Sequence, residues 1–166
     1  MFSPSTPTPT SSLSLPIDAQ GFNVALTEAQ NGRTEGGIPI GSALFTRAGV
    51  QLGAGHNMRV QRGSPTLHAE IAALEAAGRQ SANVYRDSTL YTTLSPCSMC
   101  SGAILLYGIP RVVIGENTTL VGEEDLLRCR GVEVVVLGDA RCQNLMSDFI
   151  KEHPEIWYED IGKPTA

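Results

Sequence analysis

A chain of 166 residues holds one compact domain and leaves no room for a second independent core. Hydrophobic residues make up 42% of it, and no apolar run is long enough to cross a bilayer. The formal net charge is -5 and the only lysines are Lys151 and Lys163, so no basic stripe exists to neutralise a row of phosphates. A membrane protein and a nucleic-acid binder are thereby excluded as expectations. Cys97, Cys100, Cys129 and Cys142 occur without a secretory signal, which points to a reducing compartment, cytoplasmic or also nuclear, rather than a disulfide framework.

Residues 1–16 are rich in Ser, Thr and Pro and too poor in large apolar groups to join a core, so a flexible tail is expected there and a single domain over 17–166. From Ile17 to Gln30, Phe22, Leu26 and Ala29 recur at helical spacing until Gly36-Gly37 and Pro39 end the pattern. Two short runs, Ile40 to Phe45 and Val50 to Ala54, flank Arg47-Ala48-Gly49 and read as an antiparallel hairpin. A helix from His68 to Ala77 buries Ile71 and Leu74, and Thr89 to Leu94 has the Thr and Tyr content of a strand.

After Pro96, Cys97 to Tyr107 reads as a helix with Met99, Ala103 and Leu106 on one face, ended by Gly108. Arg111 to Ile114 and Val132 to Leu137 are continuous apolar runs, as expected of strands covered on both faces, with a short helix near Glu124 to Cys129 between them. A last helix starts at a cap, Asp139, and offers Leu145, Phe149 and Ile150 to the core. This order predicts an α/β fold, a three-layer α/β/α sandwich around a central mixed five-stranded sheet.

The chemistry is concentrated in His68-Ala69-Glu70 and Pro96-Cys97-Ser98-Met99-Cys100. Two cysteines three apart in the first turn of a helix project to one side, and the helix N-terminus favours their thiolates. Two thiolates and an imidazole suit zinc, and three protein ligands leave the fourth tetrahedral position to water, the mark of a catalytic site. Zinc lowers the pKa of bound water from about 15.7 toward about 7. Glu70, two residues beyond His68, reaches that water without ligating the metal and is the candidate proton carrier. A lone Cys-x-x-Cys would be ambiguous; its combination with His-x-Glu is the signature of zinc-dependent nucleobase deaminases.

Around this signature the chain resembles the fungal-type cytosine deaminases, small homodimeric members of the cytidine deaminase superfamily. The resemblance is carried by Gly55 to Arg59, Thr66 to Glu70, Tyr91 to Cys97, Gly108 to Arg111 and Trp157 to Gly162, and spans nearly everything from Phe22 to Gly162. It implies one catalytic Zn2+ per subunit and hydrolysis of free cytosine to uracil and ammonia, with 5-substituted cytosines such as 5-fluorocytosine also accepted. It further implies that Asn57 and the backbone amide of Ala69 hold the pyrimidine edge, that Ser95 lines the same pocket, and that Trp157 and Asp160 close it as part of a lid around 153–162. The aromatic residue of the family after Gly115-Glu116-Asn117 is replaced by Leu120, which weakens stacking on that side.

Other readings of single residues stay open. Asn57 is also an ordinary strand-end residue satisfying local backbone, Trp157 a surface-anchoring aromatic and Asp160 a solvated charge. His56 and His153 lack cysteines at ligand spacing and read as structural; Arg59 and Arg62 fit a solvated loop and carry no assigned role. Two rival functions remain: a deaminase of guanine, cytidine or adenosine in transfer RNA, or a non-catalytic module in which Cys129 completes a four-ligand structural zinc site.

Overall fold

The computed structural model describes residues 16–164, so the expected tail lies outside the described residues except for Pro16, which opens the first helix. The elements in chain order are α1 (Pro16–Thr34), β1 (Gly41–Thr46), β2 (Gln51–His56), α2 (Arg59–Arg62), α3 (Ala69–Ala77), α4 (Ala82–Arg86) and β3 (Ser88–Leu94). They continue with α5 (Ser98–Tyr107), β4 (Arg111–Glu116), α6 (Glu124–Cys129), β5 (Glu133–Val136), α7 (Ala140–Glu152) and α8 (Pro154–Asp160). No helix among the described residues is long and apolar enough to cross a membrane.

One mixed sheet runs β2-β1-β3-β4-β5. The expected hairpin pairs β1 with β2 antiparallel, β1 also pairs antiparallel with β3, and β3, β4 and β5 are parallel. Side chains alternate across the strands and so divide into two cores. Leu44, Leu90, Val112 and Ile114 meet Leu74 of α3, Ile104 of α5 and Leu127 of α6 on one face. Ala43, Phe45, Tyr91 and Val113 meet Phe22, Ala25 and Leu26 of α1 and Cys142 of α7 on the other. Helices on both faces of one sheet make the three-layer sandwich that the element order predicts.

Two features draw the layers together. A Cβ at Gly53 would overlap the Ala73 carbonyl oxygen and the Ala77 amide nitrogen, so glycine alone lets α3 lie directly on β2. Across the sheet, the buried Asp18 carboxylate of α1 accepts from Arg111 of β4 at 2.6 and 3.0 Å and from the Tyr91 hydroxyl of β3 at 2.9 Å. A buried charge persists only when paired and hydrogen-bonded in this way.

Two sequence expectations are corrected. The helix α5 buries Cys100, Ser101 and Ile104, whereas Leu106 is 76% exposed. Its rotation follows Cys100 and Ile104, four residues apart on one face; Leu106 then falls on the far side of a 100°-per-residue helix. The run Val132 to Leu137 yields a four-residue strand, β5, that is only partly covered, because it forms the edge of the sheet with β4 on one side alone.

Candidate functional site

The N-termini of α3 and α5 open beside the C-terminal end of β3. His68 is the N-cap of α3 in extended backbone (φ -69°, ψ 166°), and Glu70 lies in the first turn. Cys97 is the N-cap of α5 in nearly the same conformation (φ -67°, ψ 174°), directly after Pro96, and Cys100 follows within the first turn. Cap residues and first-turn groups point outward over a helix start, so the two helices bring these four side chains together. One ligand atom each of His68, Cys97 and Cys100 lies within 4.8 Å of the others, and His68 Nδ1 is 3.6 Å from Cys97 Sγ.

The donors also fit a cation by their charge. The hydrogen bond from Cys100, then that from His68, pulls the Cys97 thiol down to about 4 against the effect of burial. Cys100 is pushed far up by Cys97 and by its own burial. Two sulfurs linked in this way beside an imidazole are a donor set that a divalent cation, displacing thiol protons, satisfies. Burial alone would lower His68, but Cys97 and Asp160 outweigh it and the net direction is up. Cys129 is exposed at the end of α6 and outside the ligand group, so no fourth protein sulfur turns this into a closed structural site.

Glu70 is 4% exposed, and burial raises its pKa above the ordinary carboxylate range. Its Oε1 accepts from Thr92 Oγ1 at 3.0 Å, which fixes the carboxylate while leaving Oε2 outside that bond. Thr92 was not singled out from sequence. The available signal was alternation along β3, which puts Thr92 on the side of Leu90 and Leu94.

Beside the metal group lies a cavity of about 200 Å³ whose lining includes Asn57, Ala69, Ser95, Leu120 and Asp160, together with Glu70. Asn57 is fully buried, and its amide is oriented from both ends: Oδ1 accepts from the Arg59 amide at 3.0 Å and Nδ2 donates to Asp160 Oδ1 at 2.9 Å. Asp160 Oδ1 also receives Arg59 at 3.3 Å and stands 3.6 Å from His68 Nε2. Arg59, left without a role in the sequence reading, thus ties the start of α2 to the end of α8. Ser95 lines the cavity, but its hydroxyl is engaged within the protein, donating to Glu124 at 2.9 Å and accepting from the Gly122 amide at 3.0 Å. Trp157 is not among the lining residues; it is 4% exposed in a third core with Ile40, Ala69, Leu94 and Phe149, behind the cavity wall.

The residue before Asn57 holds the strand end by charge. His56 Nδ1 meets Glu28 Oε2 at 2.7 Å and Nε2 meets Glu35 Oε2 at 2.9 Å. Ionised carboxylates only accept, so both bonds require both ring nitrogens protonated. Burial opposes the imidazolium, but Glu28 and Glu35 override it and His56 is raised, while the bond to His56 lowers Glu35. The raised histidine stabilises the fold below about 6.5, its unfolded value, and that contribution is lost as pH rises through its folded value. The lowered Glu35 contributes above about 4.5 and is lost as pH falls through its folded value. His56→Gln is therefore expected to cost roughly 1 kcal/mol near pH 6, limited by solvent screening of the half-exposed Glu35. The difference from wild type should shrink at pH 9, as read by urea unfolding at both pH values; an equal loss at both would contradict a charged clasp.

Comparison with known proteins agrees with this geometry. The sequence profile of the cytidine and deoxycytidylate deaminase zinc-binding region matches residues 16–116. The cytosine deaminase of Candida albicans is 56% identical over 146 residues, covering 88% of this chain and 97% of that one. The tRNA-specific adenosine deaminase of Haemophilus influenzae is 40% identical over 108 residues, covering 64% and 62% of the two chains. A solved guanine deaminase from Nitrosomonas europaea superposes with a TM-score of 0.62 at 25% identity, over 82% of this chain and 85% of that one. With imidazole, paired thiols and buried carboxylate all supplied within the matched segment, the chain belongs to the cytidine and deoxycytidylate deaminase family of zinc-binding proteins.

Proposed function

We propose that this protein is a zinc-dependent cytosine deaminase that hydrolyses the free base to uracil and ammonia. The observation that carries the reading is the buried Glu70 beside the His68, Cys97 and Cys100 group, lining a small cavity, in a chain 56% identical to a cytosine deaminase over nearly the whole of that enzyme. At about 200 Å³ the cavity is smaller than the roughly 300–1,000 Å³ of sites for drug-sized ligands, which favours a single-ring base over a nucleoside.

His68, Cys97 and Cys100 would hold the zinc, which when bound supplies an acidified water as the nucleophile. Asn57 holds the base: with Oδ1 accepting from Arg59 and one Nδ2 hydrogen given to Asp160, its second Nδ2 hydrogen is the donor left for the carbonyl oxygen O2 of the base. The Ala69 amide, at the first position of α3, has no partner within its helix and adds a second donor. Glu70 would move two protons, one from the attacking water to ring N3 as the C–O bond forms, and then the one left on the added hydroxyl to the amine as the C–N bond breaks and ammonia leaves. Asp160 faces the exocyclic amine, and α8, anchored by its own buried Trp157, is the lid that keeps solvent out. Leu120 covers the ring with an aliphatic surface.

The reading extends to a homodimer in the cytoplasm. Leu106, 76% exposed, and Tyr107, 40% exposed, border an apolar groove that also includes Ile71 and Leu74, a surface suited to a second copy. The test is a steady-state panel of cytosine, cytidine, guanine and adenine, with light scattering on the same sample. Cytosine should have the highest kcat/KM and the mass should be that of two chains. Faster turnover of cytidine or guanine would overturn the substrate, and a monomer the assembly.

A further inference from the structure

One wall of the cavity is a loop, residues 117–123, that contributes Leu120, Val121, Gly122 and Glu123 to the lining. Its first half is pinned by the buried Glu116, whose Oε2 accepts from the amides of Thr118 and Thr119 at 2.7 and 3.0 Å. Its second half rests on the Pro96 backbone: Glu123 N donates to Pro96 O at 3.1 Å, and a Cβ at Gly122 would overlap that same oxygen. Both ends are joined through Glu124, which is 4% exposed. One oxygen, Oε1, accepts from Ser95 Oγ at 2.9 Å and from Asn117 Nδ2 at 3.0 Å, and Oε2 accepts from Arg128 at 3.1 Å. Ser95 in turn accepts from Gly122 N at 3.0 Å, so a single carboxylate oxygen ties the entry of the loop, its exit and the segment leading to Cys97.

We propose that Glu124 is a positioning residue that fixes the 117–123 wall against Ser95 and thereby sets how closely the pocket fits its base. The inference rests on the cytosine reading above. The buried Ser95 hydroxyl and the half-buried Asn117 amide have one acceptor in common, and its removal leaves both donors without it in a wall that carries the apolar cover Leu120. The amide of Glu124→Gln keeps Oε1 for Ser95 and Asn117 and gives up only the bond to Arg128, whose side chain is 45% exposed and can turn to water. The reacting groups are untouched in both variants. The effect therefore falls on substrate fit.

The experiment is steady-state kinetics on cytosine and 5-methylcytosine for wild type, Glu124→Ala, Glu124→Gln and Asn117→Ala, with zinc content and Tm measured on each. Glu124→Ala should raise KM for cytosine about tenfold with kcat within about threefold, and should narrow the kcat/KM preference for cytosine over the bulkier base about fivefold, since a well-fitted wall resolves a single methyl group. Asn117→Ala, which removes one donor and leaves the carboxylate in place, should raise KM about threefold, and Glu124→Gln should stay within about twofold of wild type. An unchanged KM and selectivity in Glu124→Ala would overturn the inference, as would a Glu124→Gln variant as impaired as Glu124→Ala. Should Glu124→Ala not fold, an unchanged KM in Asn117→Ala would overturn it alone. Wild type inactive on both bases defeats the cytosine reading, whereas active wild type with variants of equal KM defeats only the role of Glu124.

Discussion

Glu70→Gln is expected to lower cytosine turnover by roughly 10²–10⁴-fold, the range for loss of a positioned general acid-base group, with zinc content and fold retained. The substitution is nearly isosteric. The Gln carbonyl oxygen can accept the Thr92 hydroxyl as Glu70 Oε1 does at 3.0 Å, so the strand contact survives. Glu70 is outside the ligand group, so zinc affinity should hardly change. Burial already disfavours the charged carboxylate, so a neutral amide in its place should not lower Tm. What is lost is the ability to take and return a proton. A module in which zinc only organises the fold would show no such dependence, and a Glu70→Gln variant of undiminished activity would favour that rival. Metal analysis, thermal melting and steady-state rates on one preparation make the comparison.

Cys100→Ser should have the opposite profile, losing zinc, activity and stability together. Cys100 is fully buried in the first turn of α5, and its partner Cys97 is drawn down to about 4 by it and by His68. Removing one sulfur leaves a thiolate and an imidazole facing a hydroxyl that binds zinc poorly. Zinc occupancy is expected to fall below about a tenth and turnover by at least about 10²-fold, and the apo-like fold should melt earlier because metal binding is linked to folding. Cys129→Ser is the control. Its exposed thiol is not among the grouped ligands, and zinc, rate and Tm should all stay as in wild type. Loss of zinc in Cys129→Ser would revive a four-ligand site.

The parts of the site that could be read from sequence are those set by local geometry. Cys97 and Cys100, three apart, share one side of a helix start by spacing alone, whereas His68 and Glu70, two apart, reach the site from an extended N-cap and the helical turn after it. The three-layer fold was legible in the order of helical and strand-like runs, among them the continuous apolar run Arg111 to Ile114, whose Val112 and Ile114 enter one core and Val113 the other. Contacts between distant segments leave no such trace. Asn57 and Asp160 bond across 103 positions, and only resemblance to a known family linked them beforehand. Thr92 on Glu70, and Ser95 with Asn117 on Glu124, are side-chain bonds between elements that no periodicity encodes. The helices α2, α4 and α8 span 4, 5 and 7 residues, too few turns for a repeating apolar pattern. The face of α5 was misread because its rotation follows Cys100 and not the most hydrophobic stripe.

The most direct test is a chelation and add-back series in which zinc content and cytosine turnover are measured on the same samples. Rate should rise in proportion to zinc and level off at one ion per chain. Full turnover by zinc-free protein, or zinc-replete protein that leaves cytosine unchanged, would contradict it.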